Sequence, residues 1–225
     1  MSGATDIVAY LRERPWGLAF TVAAGEDPAL RGEGAVIGLI DAALEAGIDD
    51  LAGASLRERC FARRPAIAHA LRDHGTCSAT LLVGQGARHV LGMAPRARVF
   101  VATVSEDDGT ARPERVADGI DWLLEIGVKV LAVPMGDRDW NGALDDAVSR
   151  AAAHGVAVFA ARGDDPGGAP MFPARHRTVR CIGADPALAV PAVGSDGAAR
   201  LCVGSSIACV LAAGAEAVQR TQTRP

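Results

Sequence analysis

The sequence predicts an α/β fold of three layers, in which a mostly parallel sheet carries helices on both of its faces. Short apolar runs alternate along the chain with amphipathic helical segments, which is the pattern of parallel strands joined by crossover helices. Two of the helical segments end at glycines, Gly127 and Gly155, a residue type that often terminates helices. The length of 225 residues, of which 49% are hydrophobic, is enough to bury one such domain.

The predicted elements follow one another in a regular order. Short apolar runs bounded by polar or turn-forming residues predict strands at 32–41, 97–104, 128–136, 156–161 and 177–185. Segments with helical composition and spacing predict helices at 56–72, 74–85, 114–127, 142–155 and from Ser206 onward. Functional sites of such sheets lie beyond the carboxyl ends of the strands. Attention therefore falls on Asp41 and on the loops after residues 134 and 161.

Composition and charge argue against several classes of protein. A formal net charge of −4 gives no net attraction for phosphates, which disfavours nucleic-acid binding. No run approaches the ~20 apolar residues of a membrane span. The first residues lack the basic start and apolar run of a signal peptide, so a cytoplasmic location is expected. Five cysteines without a CxxC pair predict buried free thiols rather than disulfides or a zinc site.

Three segments carry residues that suit catalysis, although each also has an ordinary structural interpretation. Asp41 closes a predicted strand, where an acid is usually a turn former or a helix cap. His74 opens the predicted helix at 74–85, where a histidine is often only a cap. Ser206 lies in the first turn of the last helix, where free N–H groups and the positive helix end favour a developing oxyanion. There Ser205 or Ser206 is equally suited to be a plain N-cap.

The order of these three residues changes the interpretation. An acid, a histidine and a serine in the order Asp, His, Ser is the order of the subtilisin catalytic triad. The chain resembles the subtilisin-like serine protease family in seven segments that keep the family's order. These are AVIGLID at 35–41, HGTCSATLL at 74–82, LGMAPRARVFVATV at 91–104, VPMG at 133–136, AARGDD at 160–165, FPARHRTVRCIGAD at 172–185 and GSSIACVLAAGAEAV at 204–218. The run at 81–95 also resembles family members that mature modified natural-product peptides, such as cyanobactins.

The resemblance implies an acyl-enzyme mechanism without a cofactor or a metal. Ser206 would attack the peptide carbonyl, His74 would move the proton to the leaving amine, and Asp41 would orient the histidine. An extended peptide substrate would lie between two strand ends and add main-chain hydrogen bonds to them. The residues that the resemblance places along this substrate are Val133, Pro134, Met135, Gly136, Ala160, Ala161, Arg162 and Gly163.

Several departures from the family pattern cluster at this site. The family's oxyanion asparagine falls on Asp164, which repels an oxyanion when ionised and donates to it when protonated. Arg162 replaces a small residue beside the first specificity pocket, where it is expected to obstruct the pocket rather than attract an acidic side chain. Pro134 deletes a backbone N–H, Cys77 replaces a second histidine, and Ala42 replaces a hydroxyl residue beside the acid.

These departures leave two functions open. The first is a serine endopeptidase that cleaves a peptide or precursor peptide. The second is a pseudoprotease of the same fold that binds a peptide or partner protein without cutting it. The peptidase-like domain is expected at 34–218, between an N-terminal extension at 1–33 packed on it and a tail at 219–225. Because the chain ends soon after the serine helix, a homodimer or a partner protein is expected to cover the truncated side.

Overall fold

A six-stranded parallel sheet forms the centre of the protein. The computed structural model describes residues 31–64, 69–184 and 189–222. The sheet order is β2-β3-β1-β4-β5-β6, and every neighbouring pair in it is parallel. Its strands are β1 (Val36–Asp41), β2 (Ser55–Cys60), β3 (Arg98–Thr103), β4 (Val130–Val133), β5 (Ala157–Ala161) and β6 (Arg180–Ile182). The order reverses at β1, which places Asp41 at a switch point of the topology.

Four helices connect and cover these strands. They are α1 (His69–Val83), α2 (Pro113–Ile126), α3 (Gly142–Ala153) and α4 (Ser205–Gln222). Local sequence explains several of their ends. Pro113 begins α2 with its φ already helical, and Gly127 closes it in the left-handed conformation with a φ of 84°. The side chain of Asn141 caps α3 by accepting a hydrogen bond from the Leu144 N–H at 3.1 Å.

The helices lie on opposite faces of the sheet and create two cores. On one face α1 and α4 pack against alternate strand residues such as Leu39 and Phe159. On the other face α2 and α3 pack against Ile40, Leu131 and their neighbours. Buried parallel strands read as continuous apolar runs because both faces are covered, and this is why the sequence showed them clearly. The predicted three-layer α/β fold is confirmed.

A two-stranded antiparallel hairpin stands beside the main sheet. Its strands are β7 (Val190–Val193) and β8 (Ala199–Cys202). The sequence analysis missed it, because its short, partly exposed strands carry little apolar signal. Asp73, next to His74 on α1, anchors the hairpin by accepting hydrogen bonds from the Ser195 N–H at 2.8 Å and from the Ser195 hydroxyl at 2.6 Å. The hairpin is thereby tied to the helix that carries the predicted catalytic histidine.

Two predictions of secondary structure were wrong. The segment 56–72 is not one helix, because residues 55–60 form the edge strand β2, whose side chains are mostly exposed. An edge strand with solvent on one side tolerates alternating charges, and these charges imitated a polar helix. His74 does not open a helix either, since α1 begins at His69.

The ends of the chain lie largely outside the residues that the structure describes. The expected N-terminal extension at 1–33 falls mostly outside the described residues, as does the end of the tail at 219–225. No helix in the described ranges is long and apolar enough to cross a membrane. Cys60 is exposed rather than buried, whereas Cys77, Cys181 and Cys209 are buried free thiols.

Candidate active site

Asp41 and His74 form a short hydrogen bond at the carboxyl end of β1. Their Oδ1 and Nδ1 atoms are 2.6 Å apart. The Asp41 side chain is fully buried, whereas the His74 side chain is 43% exposed, so one partner is fixed and the other faces solvent. The Ala42 N–H also donates to Asp41 Oδ1 at 2.6 Å. The structure thus joins two of the three residues that the sequence selected for catalysis.

The residues after His74 hold the α1 helix against β1. A Cβ added to Gly75 would lie 2.3 Å from the Ala42 carbonyl oxygen, so only glycine allows this close approach. The Thr76 hydroxyl accepts a hydrogen bond from the Glu45 N–H at 3.0 Å and donates one to the Arg72 carbonyl oxygen at 2.7 Å. Thr76 therefore fixes the loop after β1 on the helix, a positioning role that the sequence analysis did not assign.

The electrostatics of the pair favour the protonated histidine. The negative charge of Asp41 raises the pKa of His74 to about 9, and the hydrogen bond between them acts in the same direction. The charge of Asp164 adds to this shift, whereas partial burial opposes it. Asp164 therefore lies close enough to His74 for their charges to interact.

This shift predicts an alkaline pH profile. His74 accepts a proton only when it is neutral, so kcat/KM should rise with pH through an apparent pKa near 9 rather than near the ordinary value of about 6.5. At pH 7 only about one hundredth of the protein would carry a neutral His74. The measurement is kcat/KM for an uncharged peptide between pH 6 and pH 11, with folding checked at each pH. A profile that levels off above pH 7 would contradict the expectation.

Ser206 lies at the N-terminus of α4 in an unusual setting. Every other residue between Ser205 and Val218 is buried, and Ser206 alone in that stretch is partly exposed. A core helix therefore presents one hydroxyl to solvent at its positive end. Gly204 precedes it with a φ of 119°, a conformation that favours glycine and turns the chain sharply into the helix.

Ser205 connects α4 to the strand end after β5. Its hydroxyl accepts a hydrogen bond from the Gly163 N–H at 3.1 Å, and its own N–H donates to Asp164 Oδ1 at 2.7 Å. The Asp164 oxygen that was considered for oxyanion binding thus accepts a hydrogen bond at the helix N-terminus. The sequence indicated Ser205 only as a cap; its position directly before Ser206, the candidate nucleophile, was the available signal.

Ser206 and His74 are not hydrogen-bonded to each other within the described part of the chain. Among the described residues, the His74 side chain is hydrogen-bonded to Asp41. In enzymes without substrate, such catalytic hydrogen bonds are often long and tighten only when substrate binds. The observed arrangement therefore supplies an oriented base and a serine at a helix N-terminus, with the contact between them unmade.

A cavity of about 310 Å³ borders the first predicted substrate strand. Val133, Met135 and Gly136 line it together with apolar side chains from α2 and α3, Val116 and Leu144. The Pro134 side chain is buried and is not among the lining residues. Polar residues such as Thr110 and Asp137 line it as well, so the cavity offers both apolar surface and hydrogen-bonding groups to a peptide that runs along the strand end.

The second predicted substrate strand, residues 160–163, is buried in its first half and lines a cavity in its second half. Ala160 and Ala161 are buried in the core, on opposite faces of the sheet. Arg162 and Gly163 line a separate cavity of about 170 Å³. The Arg162 guanidinium donates to the carbonyl oxygens of Asp165 and Gly168 in the following loop. Arg162 therefore forms part of the cavity wall rather than filling the cavity.

Cys77, which occupies the place of a second histidine in the family pattern, lies beneath the site. Its sulfur is 4.0 Å from that of Cys202 on β8. Burial raises the pKa of the Cys77 thiol to about 12, so at neutral pH it remains protonated. This pair makes a second contact between α1 and the hairpin. Together with Asp73, it shows how the hairpin supports the helix of His74.

Comparison with known proteins relates the chain to bacterial proteases. The alkaline protease of Alkalihalobacillus alcalophilus is 25% identical over 182 residues, 80% of this chain and 47% of that protein. Subtilisin Savinase of Lederbergia lenta is 27% identical over 173 residues, 76% of this chain and 63% of that protein. Thermitase of Thermoactinomyces vulgaris is 29% identical over 147 residues, 64% of this chain and 53% of that protein. The chain spans about half the length of these relatives.

Solved structures show the same fold. A serine-to-alanine mutant of the PatA protease domain superimposes with a TM-score of 0.79 at 21% identity, covering 86% of this chain and 82% of that chain. The prenylagaramide maturation protease PagA gives 0.75 at 20% identity, covering 85% and 76%. The PatG macrocyclase in complex with peptide gives 0.74 at 17% identity, covering 87% and 80%. No protein-family model matches the chain. The resemblance noted in the sequence is confirmed.

Proposed function

We propose that this chain, which has the fold of the subtilisin-like serine proteases and is similar to them in sequence, is a serine endopeptidase that cleaves a peptide or precursor peptide. The observation that carries the proposal is the 2.6 Å hydrogen bond between Asp41 and His74 at the carboxyl end of β1. A buried carboxylate that binds Nδ1 leaves Nε2 of the same ring free to accept a proton. The maturation protease PagA, which shares the fold, supports a precursor peptide as the substrate.

The reaction would proceed in two steps. Nε2 of His74 takes the hydroxyl proton of Ser206 while the oxygen attacks the scissile carbonyl carbon. The protonated histidine then gives that proton to the departing amine, and an ester joins the acyl group to Ser206. In the second step the same histidine deprotonates a water that attacks the ester, and it then returns the proton to the Ser206 oxygen as the acid leaves. Asp41 holds the required tautomer and stabilises the imidazolium in both steps.

The N-terminus of α4 would stabilise the charge on the attacked carbonyl oxygen. The free N–H of Ser206 in the first helical turn and the positive end of the helix both act on a nearby oxyanion. Asp164 offers no second donor while it is ionised and accepts the Ser205 N–H. We therefore expect the wild-type enzyme to be a slow protease, with one oxyanion donor instead of two.

The second candidate function is a binder of peptides without catalysis. Two observations favour it: the carboxylate of Asp164 beside the oxyanion position, and the unmade hydrogen bond between Ser206 and His74 in the described structure. The same groove would then bind an extended peptide by strand addition. Partner proteins or a homodimer remain proposals of the sequence analysis.

A fluorophosphonate probe tests the two functions directly, because it forms a covalent bond only with an activated serine. We expect an adduct on the wild-type protein at pH 9, none on Ser206→Ala, and strongly slowed labelling of His74→Ala. Ser149→Ala, which removes an exposed serine on α3, should label like the wild type and controls for non-specific reaction. A folded wild-type protein without an adduct would overturn the protease proposal and favour the peptide binder.

A further inference from the structure

The cavity beside Gly163 is unusual in its charge. It measures about 170 Å³, several times the volume of a water molecule, which is room for a side chain. Three arginines line it, Arg138, Arg162 and Arg175, against one acid, Asp165. Met171 and neighbouring apolar residues complete the wall and offer contact to methylene groups. The lining therefore combines positively charged guanidinium groups with apolar side chains.

These three arginines lack a carboxylate partner that many other arginines of the described structure have. Eight arginines elsewhere have a carboxylate within 4.0 Å, and these are Arg64, Arg72, Arg88, Arg115, Arg150, Arg180, Arg200 and Arg220. Within the described ranges, none of the three cavity arginines has such a partner. The carboxylate of Asp165 instead accepts the Gly167 N–H at 3.1 Å. The lining thus carries three positive charges against the one negative charge of Asp165, with no described guanidinium–carboxylate contact within 4.0 Å.

Backbone oxygens hold two of the guanidinium groups in place. Arg162 donates from both terminal nitrogens to the loop after Gly163. Arg175 donates from Nη1 to the Arg138 carbonyl oxygen at 2.8 Å. A guanidinium has five N–H donors, so these contacts leave donors available on both arginines. Such a fixed pair loses little entropy when it binds a carboxylate.

The cavity lies close to the proposed nucleophile. Gly163, which forms part of its wall, donates its N–H to the Ser205 hydroxyl, one residue before Ser206. Met171 contacts both Gly136 and Gly163, since a Cβ on either glycine would come within 3.2 Å of it. It therefore lies between Gly163 in the wall of this cavity and Gly136 in the wall of the cavity along Val133 and Met135. The two cavities suit two different side chains of one extended peptide.

We propose that the arginine-lined cavity binds an acidic side chain of the substrate, close to the scissile bond. This rests on the proposed peptidase function and specifies its substrate class. A glutamate would place its carboxylate among the guanidinium groups and its methylenes against Met171. A charged acceptor that pairs with guanidinium donors binds more strongly than the neutral amide of the same shape. The cavity therefore selects peptides by charge, and the selection weakens as salt is added.

Matched peptides measure this selection. Fluorogenic peptides that carry Glu or Gln at one position, scanned over the four residues before the scissile bond, report the ratio of kcat/KM for the two. We expect a ratio of about ten at one position, falling toward one in the double variant Arg138→Gln and Arg175→Gln. Arg138→Glu should reverse the preference toward Lys. Arg150→Ala, which removes an exposed arginine on α3 that does not line the cavity, should keep the wild-type ratio.

A binding measurement separates failure of this proposal from failure of the peptidase function. Ser206→Ala protein is titrated into labelled Glu and Gln peptides, and fluorescence anisotropy gives both dissociation constants. Tighter binding of the Glu peptide supports the cavity even if no peptide is cleaved. Equal binding and equal cleavage at every position would overturn it, although a fluorophosphonate adduct on Ser206 would leave the peptidase function intact.

Discussion

Replacing Asp41 by asparagine is expected to lower kcat by about 10⁴-fold, the loss that the same change causes in a serine protease of another fold. Asp41 Oδ1 accepts both the His74 Nδ1–H and the Ala42 N–H. An asparagine that places its oxygen there keeps both hydrogen bonds but lacks the charge that stabilises the imidazolium. One that places its NH₂ group there donates to Nδ1 and holds the proton on Nε2, where it blocks attack by Ser206. Turnover should be measured at pH 10, where the wild-type histidine is largely neutral.

Two accompanying observations make this result specific. The variant should also lose the raised pKa of His74, because the charge of Asp41 is its largest cause. Asp118→Asn removes a carboxylate from an exposed ion pair with Arg115 and serves as the control. It should keep the wild-type rate, which would show that the loss in Asp41→Asn is specific to that position. A loss of less than tenfold in Asp41→Asn would show that the Asp41–His74 pair does not work as a base.

Replacing Asp164 by asparagine is expected to raise turnover by about 10² to 10³, the amount lost when subtilisin's oxyanion asparagine is removed. An asparagine keeps the oxygen that accepts the Ser205 N–H and places an NH₂ group where Asp164 has its second oxygen. It removes a negative charge beside the developing oxyanion at the same time. The charge of Asp164 also raises the pKa of His74. Without that charge, the rise of kcat/KM with pH should therefore occur at lower pH.

Asp164→Ala divides this gain into its two causes. The alanine variant removes the charge without supplying a donor, so its turnover reports the charge alone. We expect the asparagine variant to exceed the alanine variant by most of the gain, with KM little changed, since the new hydrogen bond forms in the transition state. Equal rates for Asn and Ala would mean that residue 164 does not reach the oxyanion. A rate below wild type in both would mean that Asp164 mainly holds Ser205.

Sequence alone located the elements that carry the candidate triad, for a physical reason. Buried parallel strands and the core helix α4 consist of long apolar runs, and the short polar motifs that interrupt them stand out. Asp41 and Ser206 were visible in this way, at the end of an apolar strand and at the start of an apolar helix. Their distance from each other and from His74 depends on tertiary packing, which no local pattern contains.

The elements that the sequence analysis misjudged lie at the edges of the fold. Strand β2 and the hairpin β7–β8 are half exposed, so their composition is set by solvent as much as by the sheet. The contacts of Arg162 were not predicted either: it binds loop carbonyls and lines a cavity. The conformation of a long side chain follows from its nearest acceptors, and those belong to a loop whose course the sequence does not reveal.

The burial of α4 has a consequence for how the protein folds. Thirteen residues of this helix are buried, on all sides, between the sheet and α1. A helix with apolar residues on all sides is not stable in water unless other elements cover it. Since α4 follows every strand of the sheet in sequence, the face it covers stays open until the ribosome has released it. Contacts of such sequence separation form slowly. A nascent or partly folded chain therefore holds Asp41 and His74 without Ser206, and the candidate site is complete only when folding is finished.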